Sequence, residues 1–196
     1  IRVHPVYTGI SQFIPDFIDF IRNYTLKRLS SIVSGIYRIC ETFKVNPGEL
    51  IDILAWAMNN PCEPEIIDAS LAPVMENTME SVNLEKIPIP WHYPEDRGRY
   101  QSASVIIAQY NGIRNMSFHR QFLRDGKHAV SRFVPRHLRT MTDLAASEGE
   151  NVNIAVVNGA DAVVLLAAAM SFTVNLDELT VAAALHQKLH GNPLKL

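Results

Sequence analysis

The sequence predicts an α+β fold with antiparallel strands, and three observations carry that prediction. Asn111-Gly112 and Asp125-Gly126 are dipeptides that two-residue hairpin turns favour, because both central residues need positive φ. They divide one region into three strand-like runs, Ser102 to Tyr110, Ile113 to Leu123 and Lys127 to Val134, which read as an antiparallel meander. On both sides of it, apolar residues recur at three- and four-residue spacing, the period of helices with one buried face.

Taken in order, Phe17, Ile18, Ile21, Leu29, Ile32, Val33, Ile36 and Cys40 place an amphipathic helix between Ile14 and Cys40. Asn46-Pro47-Gly48-Glu49 then offers an N-cap, a proline at the first helical position and a glutamate three residues on, a capping box opening a helix to Asn59. Residues 61–100 are proline-rich, and Ile87-Pro88-Ile89-Pro90-Trp91 reads as an extended connector, with His92, Glu95, Asp96 and Arg97 in a polar turn. Past the meander, a helix from Arg136 to Ser147 is closed by Gly149, and Asn151 to Val157 alternates as a strand. Asn158-Gly159 turns into a small-residue helix, Ala160 to Met170, and Asn175 with Glu178 forms a second capping box for a helix ending at Gly191. The organisation expected is a helical region over 1–72 and a second region over 73–196.

Composition narrows the function classes. A chain of 196 residues with net charge −2 is not a general nucleic-acid binder, since phosphate-backbone affinity rests on a net basic surface. No apolar run approaches the roughly 20 residues that a membrane span needs. Two cysteines, Cys40 and Cys62, provide no disulfide framework, so a reducing, cytoplasmic setting is expected. The chain opens on Ile1 without a secretory or transit pattern, so a preceding N-terminal part is expected.

Against that acidic background the meander is basic. Arg114, Arg120, Arg124, Lys127, Arg132, Arg136 and Arg139 stand with a single acid, Asp125. Arginine grips carboxylate or phosphate with two parallel hydrogen bonds, so an anionic ligand is expected; a sheet edge blunted by charge is the alternative. If Ile113 to Leu123 is one strand, Asn115, Ser117 and His119 share one face while Met116, Phe118 and Arg120 share the other. Asn and His can coordinate a metal, and Ser, backbone amides and Arg can hold phosphate. His186 and His190 also have the spacing of a metal pair, but with no third ligand nearby they read as solvent-facing.

Leu84-Glu-Lys-Ile-Pro-Ile-Pro90, Pro94-Glu-Asp-Arg-Gly-Arg-Tyr100, Asn115-Met-Ser-Phe-His-Arg120, Arg136-His137, Asn158-Gly-Ala-Asp-Ala162 and Asp177-Glu-Leu179 follow one another in the order and spacing of the UbiD family of decarboxylases. The chain resembles that family from about Pro73 to Leu196. The resemblance implies an antiparallel split β-barrel, similar to that of flavin reductases, with flanking helices. It implies prenylated FMN (or FMN), a divalent metal (Mn2+ or Mg2+) and K+, and reversible decarboxylation of an α,β-unsaturated or aromatic acid. Asn115 and His137 would be metal ligands, and Arg120 would hold the substrate carboxylate. Ser117, Phe118 and His119 would lie along the flavin, with Ser102 close to it and Arg136 among the cofactor-binding residues. Ser104, His119 and Arg136 depart from residues common in the family. The family's third metal ligand and both glutamates of its catalytic network are expected after Leu196, so the isolated chain would lack its proton donor. A homo-oligomer or a complementary C-terminal chain is the partner implied. The competing readings are a flavin-binding or assembly subunit without chemistry of its own, and a structural domain whose arginines only solvate a sheet edge.

Overall fold

The structure, a computed structural model, describes residues 31–170 and 176–196. These divide into two compact units, one formed by Asp68–Leu179 and the other by the segment ending at Ile67 together with Thr180–Leu196.

The second unit is helical. α1 (Ser31–Phe43) buries Cys40 and Phe43, and α2 (Pro47–Asn59) buries Leu50 and Ala57. The expected helix from Ile14 coincides with α1 over its last residues; the part before residue 31 lies outside the described residues. α2 opens as its sequence requires: Glu49 N–H donates to Asn46 Oδ1, Asn46 N–H donates to Glu49 Oε2, and Pro47 stands in the first turn. The unit also holds Val181 to Leu185, five consecutive buried residues of the last helix, and a run in which Glu65 and Ile67 N–H groups donate to the carbonyls of Leu194 and Leu196.

The larger unit carries the strands. β1 is Tyr100–Gln101, β2 Val105–Tyr110, β3 Ile113–Phe118, β4 Gln121–Asp125, β5 His128–Ser131 and β6 Asn153–Val157. They form two antiparallel three-stranded sheets, ordered β1-β4-β5 and β3-β2-β6. The run from Ile113 to Leu123 is therefore not one strand. It breaks at His119 and Arg120, and its halves belong to different sheets, because β3 pairs with β2 whereas β4 takes β1 and β5 as neighbours. Gln121 Nε2, the first side chain of β4, donates to the fully buried Ser104 Oγ at 2.9 Å, a polar tie at the corner where the chain changes sheets.

The two turns also differ. Asn111 and Gly112 both have positive φ, as a hairpin turn of that type demands. Gly126 does not. There Asp125 Oδ1 accepts the Lys127 and His128 N–H groups at 2.8 and 2.9 Å, and an irregularity in register falls between Leu123 and Asp125. The side chain of Asp125, rather than left-handed backbone, closes this turn.

α3 (His137–Ser147) follows, closed by Gly149 at φ +73°. Its Leu138, Met141 and Ala145 pack with Ile106, Ala108 and Tyr110 of β2 and with Val152, Ile154 and Val156. The even-numbered residues of β2 and β6 thus make the face that α3 covers. α4 (Ala162–Ala169) begins at Asp161, whose Oδ1 accepts the Val163 N–H, and α5 (Glu178–His190) begins in this unit. The proline-rich connector buries Leu84, Ile87 and Ile89 against Leu123 and Ala129. No described helix is long and apolar enough to cross a membrane.

Truncating a side chain at the centre of the α3–sheet core leaves a cavity, so Leu138→Ala is expected to cost about 2–5 kcal/mol. Asn46→Ala, which removes the cap of α2, is expected to cost about 1 kcal/mol. Urea denaturation followed by circular dichroism checks both; an Asn46→Ala loss as large as that of Leu138→Ala contradicts the assignment of the core.

Candidate functional site

Among the described residues β3 is an edge strand, so every second backbone N–H points away from β2 with no described strand to receive it. At Met116 that N–H donates to Glu178 Oε2 at 3.0 Å, and Asn115 Nδ2 donates to Glu178 Oε1 at 3.0 Å. Asn115 and Glu178 are 5% and 4% exposed, so the carboxylate occupies the edge position in place of a neighbouring strand. Burial pushes the Glu178 carboxyl above its ordinary range; the Met116 and Glu178 N–H groups and the charge of His137 oppose the rise, and Asp177 adds to it.

From Asn115 a polar row runs along one face. Ser117 Oγ lies 3.3 Å from Asn115 Oδ1 and 3.0 Å from His119 Nε2. The His119 ring meets Phe133 edge-on with centroids 4.9 Å apart, and its burial lowers the ring's pKa, with the Arg132 backbone opposing. Strand register fixes which face this is. Asn115 opposes Ala108 and Ser117 opposes Ile106, the β2 residues on which α3 packs. His137 is the first residue of α3 and acts electrostatically on Glu178. Asn115 thus lies on the face of the sheet that α3 covers, and His137 is the residue with which α3 begins.

The other expected site residues lie elsewhere. Phe118 opposes Val105 and is on the opposite face. Arg120 is exposed, its carbonyl accepting from Ser131 Oγ at 3.0 Å. Arg136 is the exposed residue immediately before α3. Ser102 is exposed, with Oγ 3.4 Å from His92 Nε2, and that ring nitrogen is also 3.2 Å from the Tyr100 carbonyl. Among the described residues, Ser102, Phe118 and Arg120 make no hydrogen bond to the Asn115 row. The His186 and His190 rings lie tilted to each other with centroids 4.7 Å apart, and His186 Nδ1 is 3.0 Å from the Asn192 carbonyl.

Glu178 is the residue that sequence reasoning misassigned. A capping-box role requires it to be the third residue of its helix. It is the first, and Asp177 is the cap, its Oδ1 accepting the Leu179 N–H at 2.9 Å; Asn175 lies outside the described residues. The available signal was Asp177 itself, an equally good cap, which shifts the helix start and leaves the Glu178 carboxylate free to engage β3.

Among the described residues, no three His, Cys, Asp or Glu side chains gather into a metal cluster. The candidate donors are instead an amide, a carboxylate and an imidazole, from Asn115, Glu178 and His137, a mixture that suits Mn2+ or Mg2+. A buried carboxylate held mainly by neutral donors is also the group that gains most from a cation.

The raised Glu178 pKa has a sign. Folding favours the protonated carboxyl, so the stability it contributes is fully present below about pH 4.3 and is lost as pH rises through the higher folded-state value. In metal-free buffer, Glu178→Gln is expected to remove this loss, so the stability difference between the variant and the unaltered chain moves in the variant's favour as pH rises. Urea midpoints measured between pH 4 and 8 check it, and a pH-independent difference contradicts it.

The family model described as "3-octaprenyl-4-hydroxybenzoate carboxy-lyase Rift-related domain" of UbiD matches residues 65–194. The chain is 38% identical over 107 residues to the anhydromevalonate phosphate decarboxylase of Methanothermobacter thermautotrophicus, covering 54% of this chain and 25% of that one. It is 31% identical over 147 residues to the enzyme of the same name from Aeropyrum pernix, covering 67% and 34%. In structure it is similar to the UbiD-class enzyme HmfF from Pelotomaculum thermopropionicum in complex with prFMN, with a TM-score of 0.74 and 32% identity over 80% of this chain and 37% of that one. The chain thus spans between a quarter and about a third of the length of these relatives. A match over most of the chain, together with antiparallel sheets similar to those of a UbiD-class enzyme, establishes that this chain belongs to the UbiD family.

Proposed function

We propose that the chain forms the cofactor- and metal-binding part of a UbiD-like carboxy-lyase acting on an unsaturated or aromatic acid. The observation that carries this reading is Glu178, buried on the edge of β3 with Asn115 as its side-chain partner on the face covered by the helix that His137 begins. Asn115, Glu178 and His137 would hold Mn2+ or Mg2+ beside the cofactor phosphate, with K+ as a further counter-ion. When bound, prenylated FMN supplies the electron sink for the carbon that loses CO2. Ser117 and His119 would line the flavin, with Phe118 and Ser102 near it. The exposed Arg120 would pair with the substrate carboxylate through two parallel hydrogen bonds, fixing the bond to be broken. The two sheets would be the halves of a split barrel, and 73–196 the flavin-binding region.

The relatives' names refine the substrate. Several are anhydromevalonate phosphate decarboxylases, which supports an unsaturated acid bearing a phosphate. Arg124, Arg132 and Arg136 are exposed, as groups receiving a second anion need to be. The proton donor would come from a further segment or from a partner chain, either a second copy or a complementary chain, in a cytoplasmic setting. The second reading is a flavin-binding or assembly subunit that needs such a partner for any activity.

FMN and Mn2+ titrated into the purified chain test the site. Flavin fluorescence is expected to be quenched on binding only when Mn2+ is present, and Asn115→Ala and His137→Ala are each expected to weaken that binding at least about tenfold. Quenching that is equal with and without Mn2+, and unchanged in both variants, overturns the proposed ligands. Turnover of a phosphorylated unsaturated acid by the monomeric chain alone overturns the need for a partner.

A further inference from the structure

We propose that the ion pair between Arg114 and Asp177 is a positioning device for the cation site, fixing the first turn of α5 on β3 so that Glu178 presents its carboxylate to Asn115. The inference rests on reading Asn115, Glu178 and His137 as a divalent-ion site. Its basis is that neighbours in one element meet neighbours in the other: Arg114 meets Asp177, while Asn115 and Met116 meet Glu178.

Arg114 Nε and Nη2 both lie 2.7 Å from Asp177 Oδ2, and the remaining oxygen of Asp177 accepts the Leu179 N–H. One carboxylate thereby serves both the strand and the helix cap. Adjacent side chains on a strand point to opposite faces, so Arg114 approaches α5 from the face opposite to Asn115, and Met116 N–H approaches in the plane of the sheet. Three attachments from two faces and an edge fix the rotation of the helix start as well as its distance. Without the Arg114 attachment, the hold on Glu178 from that face is lost, leaving the Asn115 side chain and the Met116 N–H to keep its carboxylate from turning away. The Arg114 and Asp177 side chains are 25% and 26% exposed, so the pair is partly withdrawn from water and its two hydrogen bonds are charge-assisted. Arg114 also offsets the charge of an acid adjacent to Glu178.

The test uses the full 196-residue chain and Mn2+ alone as probe, with free ion read by electron paramagnetic resonance. The variants are Asp177→Asn, which keeps a capping oxygen, Arg114→Gln, their combination, and Arg114→Lys, each measured well below its own melting temperature. Each of Asp177→Asn and Arg114→Gln is expected to weaken Mn2+ binding about tenfold, the double variant to be no weaker than the poorer single one, and Arg114→Lys to recover part of the loss. Should Asp177→Asn fail to fold, the comparison of Arg114→Gln with Arg114→Lys carries the test. Lower melting temperatures with unchanged Mn2+ affinity overturn the proposal by making the pair merely structural, and additive losses in the double variant overturn it by uncoupling the two residues. An unaltered chain that binds no Mn2+ overturns the cation site itself, and the role of the ion pair with it.

Discussion

The larger unit is built around a carboxylate on an open strand edge. Among the described residues β3 has β2 on one side only, and an unpaired buried N–H costs about 1–3 kcal/mol. Glu178 takes the Met116 N–H and the Asn115 amide together, so a side chain from the start of α5 completes the edge where another strand would otherwise add. Its burial then makes the charged form unfavourable, which is the condition under which a neighbouring cation or proton has the greatest effect. The same contact therefore ends the sheet and creates the group on which a cation site can be based.

The face of the sheet matters as much as its edge. Ile106, Ala108 and Tyr110 bury themselves under α3, and in an antiparallel ladder the residues opposite Ile106 and Ala108 must share that face. Those residues are Ser117 and Asn115. The hydrophobic packing that seats α3 thus also brings its first residue, His137, to the side where the polar row lies. The apolar core and the polar row thus share one layer, and the packing of the apolar part holds the polar part in place.

Much of this was legible beforehand. The capping box at Asn46 and Glu49, the end of α3 at Gly149 and the alternation of Val152, Ile154 and Val156 are local signals, and the structure follows them. The shared face of Asn115 and Ser117 also follows from period-two geometry within β3, whereas His119 lies past the end of that strand and joins the row through Ser117 Oγ. The break at His119 and Arg120 was not legible, because nothing local distinguishes one strand of eleven residues from two shorter strands in different sheets. Nor was the turn at Asp125, where side-chain acceptance replaced the positive φ that the Asp-Gly dipeptide suggests.

The sequence by itself determined most of the helices, the cap of α2 and the residue types of the polar row, because propensity, periodicity and capping act within a few residues along the chain. Membership of the UbiD family was also readable there, from motifs in a fixed order. Only the tertiary structure decided what Glu178 does. Asn115 and Glu178 are 63 positions apart, and a capping role and an edge role call for the same residue type. What separates them is which N–H groups the strands leave to a side chain, and that depends on β3 having no second neighbour among the described residues, a property of the assembled sheet and not of any local stretch.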